Sequence, residues 1–280
     1  MSKQINRALA DVSSDQVSPL DSAIHRRDQS TLQMVAEAIK HKQTLLAYQP
    51  VVLAHEPDRV AFHEGLMRVL DETGRVIPAK DFMPVIEDTE LGRKIDVLAL
   101  RMGLTTLQQN PELRLSINMS ARSIGYSSWN QTMRRFLNRD KTLGERLILE
   151  ITESSAMLVP ELVKDFMENL QDQGVCFAMD DFGSGYTAIR YFKDFYFDVL
   201  KIDGQFSRGI AEDPDNRALV AALISIARHF DMMTVAESVE NSEDASTLAS
   251  LGADCLQGYY FAAPTTKPYW MEEAKERAAG

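Results

Sequence analysis

LILEITESSAMLVPELVKDFMENLQDQGVCFAMDD, residues 147–181, is the stretch whose reading decides the fold. Leu147–Thr152 is a short β-rich run and Pro160–Gln173 an amphipathic helical stretch. Gly174 sits where that helix should end, and Val175–Asp181 is a second β-rich run. The alternation continues on both sides. Leu45–Leu53, Val60–Val69 and Leu113–Ser120 precede it; Val199–Asp203, Met233–Val239 and Cys255–Phe261 follow, with helical Asn216–Phe230 and Ser242–Leu251 among them. Strands separated mostly by helices predict a parallel α/β architecture, with a closed (β/α)8 barrel the leading form and a doubly wound open sheet its rival. No solenoid repeat or low-complexity linker interrupts the chain, so residues 31–280 read as a single barrel domain. From Leu32, the positions Leu32, Val35, Ala36 and Ile39 follow helical spacing; residues 1–30, rich in Ser, Asp, Gln and Arg, are expected to be a short flexible arm holding at most a short helix.

The 280 residues suit one α/β barrel, and 45% hydrophobic with 25% charged residues is the composition of an ordinary globular protein. Lys plus Arg number 30 against 41 Asp plus Glu, a net charge of -11, which disfavours DNA coating through a broad basic surface. A small phosphate ligand stays open, because bound cations invert the local field. Cys176 and Cys255 fit no metal-finger spacing and read as buried free thiols of a reducing cytoplasm. The start carries no signal-peptide stretch, and the longest apolar run, Ala218–Ala227, is too short to span a bilayer, so no membrane partner is expected.

Side chains alternate along a strand, so parity assigns faces. Glu64 shares a face with Phe62, Leu66 and Arg68; Asn118 with Ser116 and Ser120; Glu150 with Ile148; Asp180 with Ala178 and Cys176. Lys201 goes with Asp203, Glu237 with Val235, and Gln257 with Cys255 and Tyr259. In each run aliphatic residues take the other face. In a barrel the aliphatic row meets the helices, and the polar groups near strand C-termini converge at the mouth. Clustered carboxylates need pairing or cations, and Glu, Asp and Asn oxygens are ligands for a hard ion such as magnesium or manganese, not zinc or copper. Any one of these carboxylates, taken alone, is more often solvated or held by a lysine or helix N-terminus; the set on one face carries the metal reading. Asp180 and Asp181 have opposite parity. A sharp turn at Gly183 and Gly185 would let Asp181 reach a second cation, the alternative being a helix cap.

The strings YQPVV (48–52), HEGLMR (63–68), SINMS (116–120), LEITES (149–154), MDDFGSGY (179–186), LKID (200–203), VAESVE (235–240) and LQGYYF (256–261) resemble, in order, the motif series of EAL-domain cyclic di-GMP phosphodiesterases. The resemblance covers about Gln43 to Pro264. It implies a modified TIM barrel whose first strand runs antiparallel to the rest. It implies Glu64, Asn118, Glu150 and Asp180 around one metal, Asp181 at a second, and Glu237 completing the cluster, with two Mg2+ or Mn2+ ions and calcium inhibitory. Lys201 looks like the residue holding the attacking water, and Glu153 like the glutamate that steadies the DDFGSGY loop; with Glu64 and Asp181 they form the catalytic set. Gln49, Leu66, Arg68, Asp203 and Gln257 look like substrate contacts. The segment after DDFGSGY is associated with homodimers. Two departures stand out. Gly65 replaces the family Ala, and Ser238 the usual Gly, both on the outward parity. Loss of the methyl at Gly65 should cost about 0.5–1 kcal/mol, and restoring it should add slight stability.

The implied reaction is hydrolysis of cyclic di-GMP to linear pGpG by metal-activated water in the bacterial cytoplasm. The rival is a receptor that holds cyclic di-GMP without cleaving it, which degenerate relatives achieve by losing metal ligands or the lysine; here none is lost. A barrel serving only as a protein scaffold would need no buried carboxylate cluster. With no fused sensor or cyclase module in these residues, regulation is expected from a partner at the N-terminal arm or from dimerisation.

Overall fold

The connection between the first two strands sets how the sheet closes. In the computed structural model, which describes residues 18–183, 193 and 195–271, β1 (Thr44–Leu53) and β2 (Glu56–Leu70) are separated only by Ala54 and His55. So short a link cannot carry a parallel crossover, and the two strands pair antiparallel. After the short β3 (Val76–Pro78), β4 (Leu115–Asn118), β5 (Leu147–Thr152), β6 (Cys176–Phe182), β7 (Val199–Ile202), β8 (Met233–Ala236) and β9 (Cys255–Leu256) follow, each parallel to its predecessor in the ring. β2 joins β4 in parallel, and β9 pairs antiparallel with β1. That last pairing closes an eight-strand barrel with β3 hung on the outside of β2, and excludes the open sheet.

The barrel interior is built in two tiers that follow strand parity. Val51, Phe62, Ile148, Ala178, Val199, Val235 and Cys255 form a buried apolar tier. One pleat further toward the mouth stand Gln49, Glu64, Glu150, Asp180, Lys201, Glu237 and Gln257, all buried except the half-buried Glu237. The opposite parity, including Leu115, Ile117, Leu147, Leu149, Ile151, Phe177 and Met179, is buried in the larger outer core. Helix Pro160–Gln171 buries Val163, Met167 and Leu170, one stripe at helical spacing, and seats Phe166 between Trp129 and Phe177 at ring distances of 5.4 and 5.9 Å.

Three boundaries differ from the sequence reading. The first helix runs from Pro19 to Lys40, started by the Ser18 side chain accepting from the Asp21 N–H and by proline at its first position. A boundary at residue 30 therefore falls inside a helix whose first half is exposed and whose second half buries Val35 and Ala38. β8 ends at Ala236, because Ser238 turns left-handed with φ 57°. β9 ends at Leu256: Gly258 lies against the Val239 backbone, so close that a Cβ there would overlap it. Tyr259 and Tyr260 are consequently exposed and do not continue an inward face.

Gly65 faces the outer core, but the space is already taken. A Cβ on it would lie 2.6 Å from Ile117 Cδ1 and 3.3 Å from the Ser116 carbonyl oxygen. Ile117 cannot retreat toward the helix Glu90–Gln109, since a Cβ on Gly103 would meet the same Cδ1 at 2.8 Å. The expectation of a tolerated methyl is thus corrected: the isoleucine fills the gap that the glycine leaves. Gly65→Ala should lower stability by about 1–3 kcal/mol, and adding Ile117→Val, which deletes Cδ1, should recover most of it. Chemical denaturation of both variants measures this; a neutral Gly65→Ala would refute the steric account.

Candidate functional site

The polar tier opens into a cleft of about 930 Å3 at the barrel mouth. Lys201 is its hub. Its Nζ lies 2.7 Å from Glu150 Oε2, 2.7 Å from Glu237 Oε1, 2.9 Å from Asp180 Oδ1 and 3.6 Å from Glu64 Oε2. Glu64 links both sides of the barrel seam: Asn118 Nδ2 donates to its Oε1 at 2.7 Å and Gln257 Nε2 to its Oε2 at 2.6 Å. Gln257 also approaches Gln49 Oε1 at 3.3 Å, and Gln49 donates to the Ala262 carbonyl at 3.1 Å.

Asp181 joins Asp180 through a break in the strand. The β6–β7 register shifts between Met179 and Phe182, and Asp181 has φ 53°, so an irregular strand end turns both carboxylates into the cleft. Single oxygens of Asp180, Asp181 and Glu237 lie within 4.8 Å of one another. Glu153 is buried at the start of the helical turn Glu153–Ala156, and its Oε2 accepts the Gly183 N–H at 3.2 Å, tying down the turn that follows Asp181.

Five carboxylates around one ammonium cannot all ionise cheaply. Burial and the Glu64 charge push Glu150 well above the ordinary range, burial lifts Glu237 to about 8, and burial with the Asp180 charge lifts Asp181 to about 6. Burial also works on Glu64, but Lys201, Gln257 and Asn118 outweigh it and hold its pKa low. Burial disfavours the Lys201 ammonium, yet the surrounding acids keep it protonated far up the scale. Glu150 Oε1 and Gln257 Oε1 are buried acceptors without a hydrogen-bond donor among the described residues. Excess negative charge, orphaned oxygens and an all-oxygen donor set fit a hard divalent cation.

The remaining sequence candidates divide. Leu66 and Asp203 line the cleft, although one Asp203 oxygen caps the turn Gly204–Ser207 through the Gln205 N–H at 2.7 Å. Arg68 is not among the lining residues; its Nη1 donates to the Met67 carbonyl at 2.9 Å. Ser238 lines the cleft beside Glu237 rather than facing outward, because the strand has ended before it. The segment expected to mediate pairing, after the DDFGSGY string, begins at residue 187, and residues 187–192 lie outside the described residues.

Sequence reasoning missed Asp96. It sits on the buried stripe Gly92, Ile95, Asp96, Ala99, Leu100, Gly103 of helix Glu90–Gln109, and a carboxylate at that spacing was the available signal. Its Oδ2 accepts the Ser120 N–H at 3.1 Å and the Ser123 hydroxyl at 2.5 Å, holding the loop after Asn118 at the cleft edge. Burial pushes its pKa from 3.8 up to about 7 despite those donors. The folded chain then binds the proton more tightly than the unfolded one, so this contribution is full below pH 3.8 and fades as pH rises to about 7. Asp96→Asn, which keeps the acceptor, should remove that fall, so the stability difference between variant and parent should grow from pH 5 to pH 8. Parallel denaturation curves at both pH values for the two proteins would contradict it.

A barrel parallel but for its first strand, with a carboxylate cage at the C-terminal ends of the parallel strands, open to a polar cleft, is a barrel protein equipped to hold divalent cations against a polar ligand. The chain belongs to the EAL domain family, whose model matches residues 32–264. It is 32% identical over 232 residues to the cyclic di-GMP phosphodiesterase PdeF of Escherichia coli K12, covering 81% of this chain and 31% of that protein. It is 31% identical over 252 residues to the bifunctional diguanylate cyclase/cyclic di-GMP phosphodiesterase MucR of Pseudomonas aeruginosa, covering 87% and 37%. The solved PaMucR phosphodiesterase in complex with c-di-GMP superposes with a TM-score of 0.73 at 31% identity, over 84% of this chain and 97% of that one. The chain thus spans about a third of the length of these curated relatives.

Proposed function

We propose that this chain hydrolyses one 3′–5′ phosphodiester bond of cyclic di-GMP, giving linear pGpG, in the cytoplasm, where its free cysteines Cys176 and Cys255 stay reduced. One observation carries the reading: Glu64, Asn118, Glu150, Asp180, Asp181, Lys201 and Glu237, picked from six separate strings, converge on one over-charged cage at the mouth of the barrel. The names of the relatives supply the substrate class. Bound Mg2+ or Mn2+ would supply an activated water and neutralise charge developing on the phosphate.

The protein's own residues do the rest. Glu64, Asn118, Glu150, Asp180, Asp181 and Glu237 are the oxygen donors for the cations. Lys201 is fixed by three short contacts, so its ammonium is aimed without reorganisation at the site where the nucleophile must stand. Glu153 holds the Gly183 turn and with it Asp181. Gln49, Leu66, Asp203 and Gln257 form the walls against which the dinucleotide is oriented, and Arg68 reaches it by releasing the Met67 carbonyl.

No described helix is long and apolar enough to cross a membrane. The test is to incubate the purified chain with cyclic di-GMP in magnesium, manganese, or chelator, and resolve pGpG. Product in either metal and none in chelator is expected. Binding of the dinucleotide without pGpG in either metal would leave a receptor.

A further inference from the structure

A cyclic dinucleotide carries two phosphates, and only one can lie at the bond being cut. The cleft is acidic, so the second must find a cation on its wall. Lys201 is enclosed by carboxylates, and Arg122 Nε lies 2.6 Å from Asp88 Oδ1, closer than Arg208 lies to any carboxylate among the described residues. Among the described lining residues that leaves Lys80 and Arg208.

Arg208 is held in a way that a free surface arginine is not. Its Nη2 donates to Ser238 Oγ at 3.1 Å and its Nε faces Glu240 Oε1 at 3.3 Å, while Nη1 takes part in no hydrogen bond among the described residues. Ser238 reaches it from a left-handed backbone, φ 57°, which a non-glycine residue adopts only when its surroundings impose it. Gly204 makes the room: a Cβ there would overlap the Ser238 side chain and come within 3.6 Å of Arg208 Cζ. A serine in a glycine-type conformation, a glycine beneath it and a glutamate beside it thus orient one exposed guanidinium at the rim. It stands beside Gly204 and lines the same cleft as Asp203 and Glu237.

We infer that Arg208 is a substrate-binding residue: oriented by Ser238 and Glu240, it takes an oxygen of the phosphate that is not cleaved. The inference rests on the proposed cyclic di-GMP reaction and adds to it a contact made equally in ground and transition states. Arg208 therefore acts on affinity and KM, not on kcat.

The experiment is calorimetric titration of calcium-loaded parent, Arg208→Ala, Arg208→Lys and Ser238→Gly with cyclic di-GMP, with kcat and KM measured in magnesium. Arg208→Ala should weaken binding about tenfold, the scale of one charge-assisted hydrogen bond. Arg208→Lys should recover little of it, because the planar fork is lost. Ser238→Gly, which keeps the charge but frees it, should lose about threefold. KM should rise in parallel, with kcat within about twofold of the parent. Ligand-free melting temperatures close to the parent's establish that the variants are folded, and Arg208→Lys carries the test if Arg208→Ala is not. Parent-like affinity in either arginine variant, or a fall confined to kcat, overturns the role of Arg208 alone. Failure of the parent to bind cyclic di-GMP brings down the reaction as well.

Discussion

Lys201→Met is expected to lose about 3–5 kcal/mol of stability in chelator, because it removes the only ammonium from a cage of buried carboxylates. Glu150, Asp180 and Glu237 each make a contact of 2.7–2.9 Å to that one Nζ. Methionine fills the volume but leaves the acids facing one another. The chain's escape is protonation, which the raised pKa values of Glu150 and Glu237 already favour. The loss should therefore be larger at pH 8.5 than at pH 6. Magnesium should restore much of it, since a divalent cation supplies the missing charge. Turnover should still fall at least about a hundredfold, because charge in the cage is not charge aimed at the nucleophile. Calorimetric melting in chelator and in magnesium, beside pGpG formation, separates the two effects. A variant as stable as the parent in chelator would mean that Lys201 does not hold the cage together.

Glu64→Ala should abolish measurable pGpG formation, a loss of at least about a hundredfold. Glu64 accepts from both Asn118 and Gln257, so its removal takes away their short acceptor and breaks the link that spans β1 from β2 to Gln257. Glu64→Gln should be nearly as damaging, since an amide nitrogen would then face amide donors. Affinity for cyclic di-GMP in calcium should fall less than the rate, because the walls at Gln49, Leu66 and Asp203 stay in place. Substantial turnover by purified Glu64→Ala would remove Glu64 from the cation site.

Much of this was legible in the sequence because strand parity is a rigid rule. The parity partners of the polar set, Phe62, Ile148, Ala178, Val199, Val235 and Cys255, are the residues that form the apolar tier beneath it. The antiparallel first strand was expected from the family resemblance alone, and parity does not carry it, but the spacing does. Only six residues separate the runs Leu45–Leu53 and Val60–Val69, too few for the dozen or so that a parallel crossover needs. What parity could not reach were the positions where the strand stops. Asp181, Ser238 and Gly258 lie at irregular ends, two of them with positive φ, and there an alternating rule places a side chain on the wrong face. Gly65 was misread for a different reason: its neighbour Ile117 and the facing Gly103 are distant in sequence, and only the fold shows that the three share one space.

The apolar tier beneath the cage makes the barrel a blind chamber. Val51, Val235 and Cys255 are fully buried and Phe62 nearly so, and they floor the cage on the side away from the cleft. Among the described residues the cage opens to the cleft at the barrel mouth. Under the proposed reaction, the cations that the cage would hold and the dinucleotide that its walls would orient share this opening. The linear product would therefore have to clear the path of the next substrate before another turnover begins.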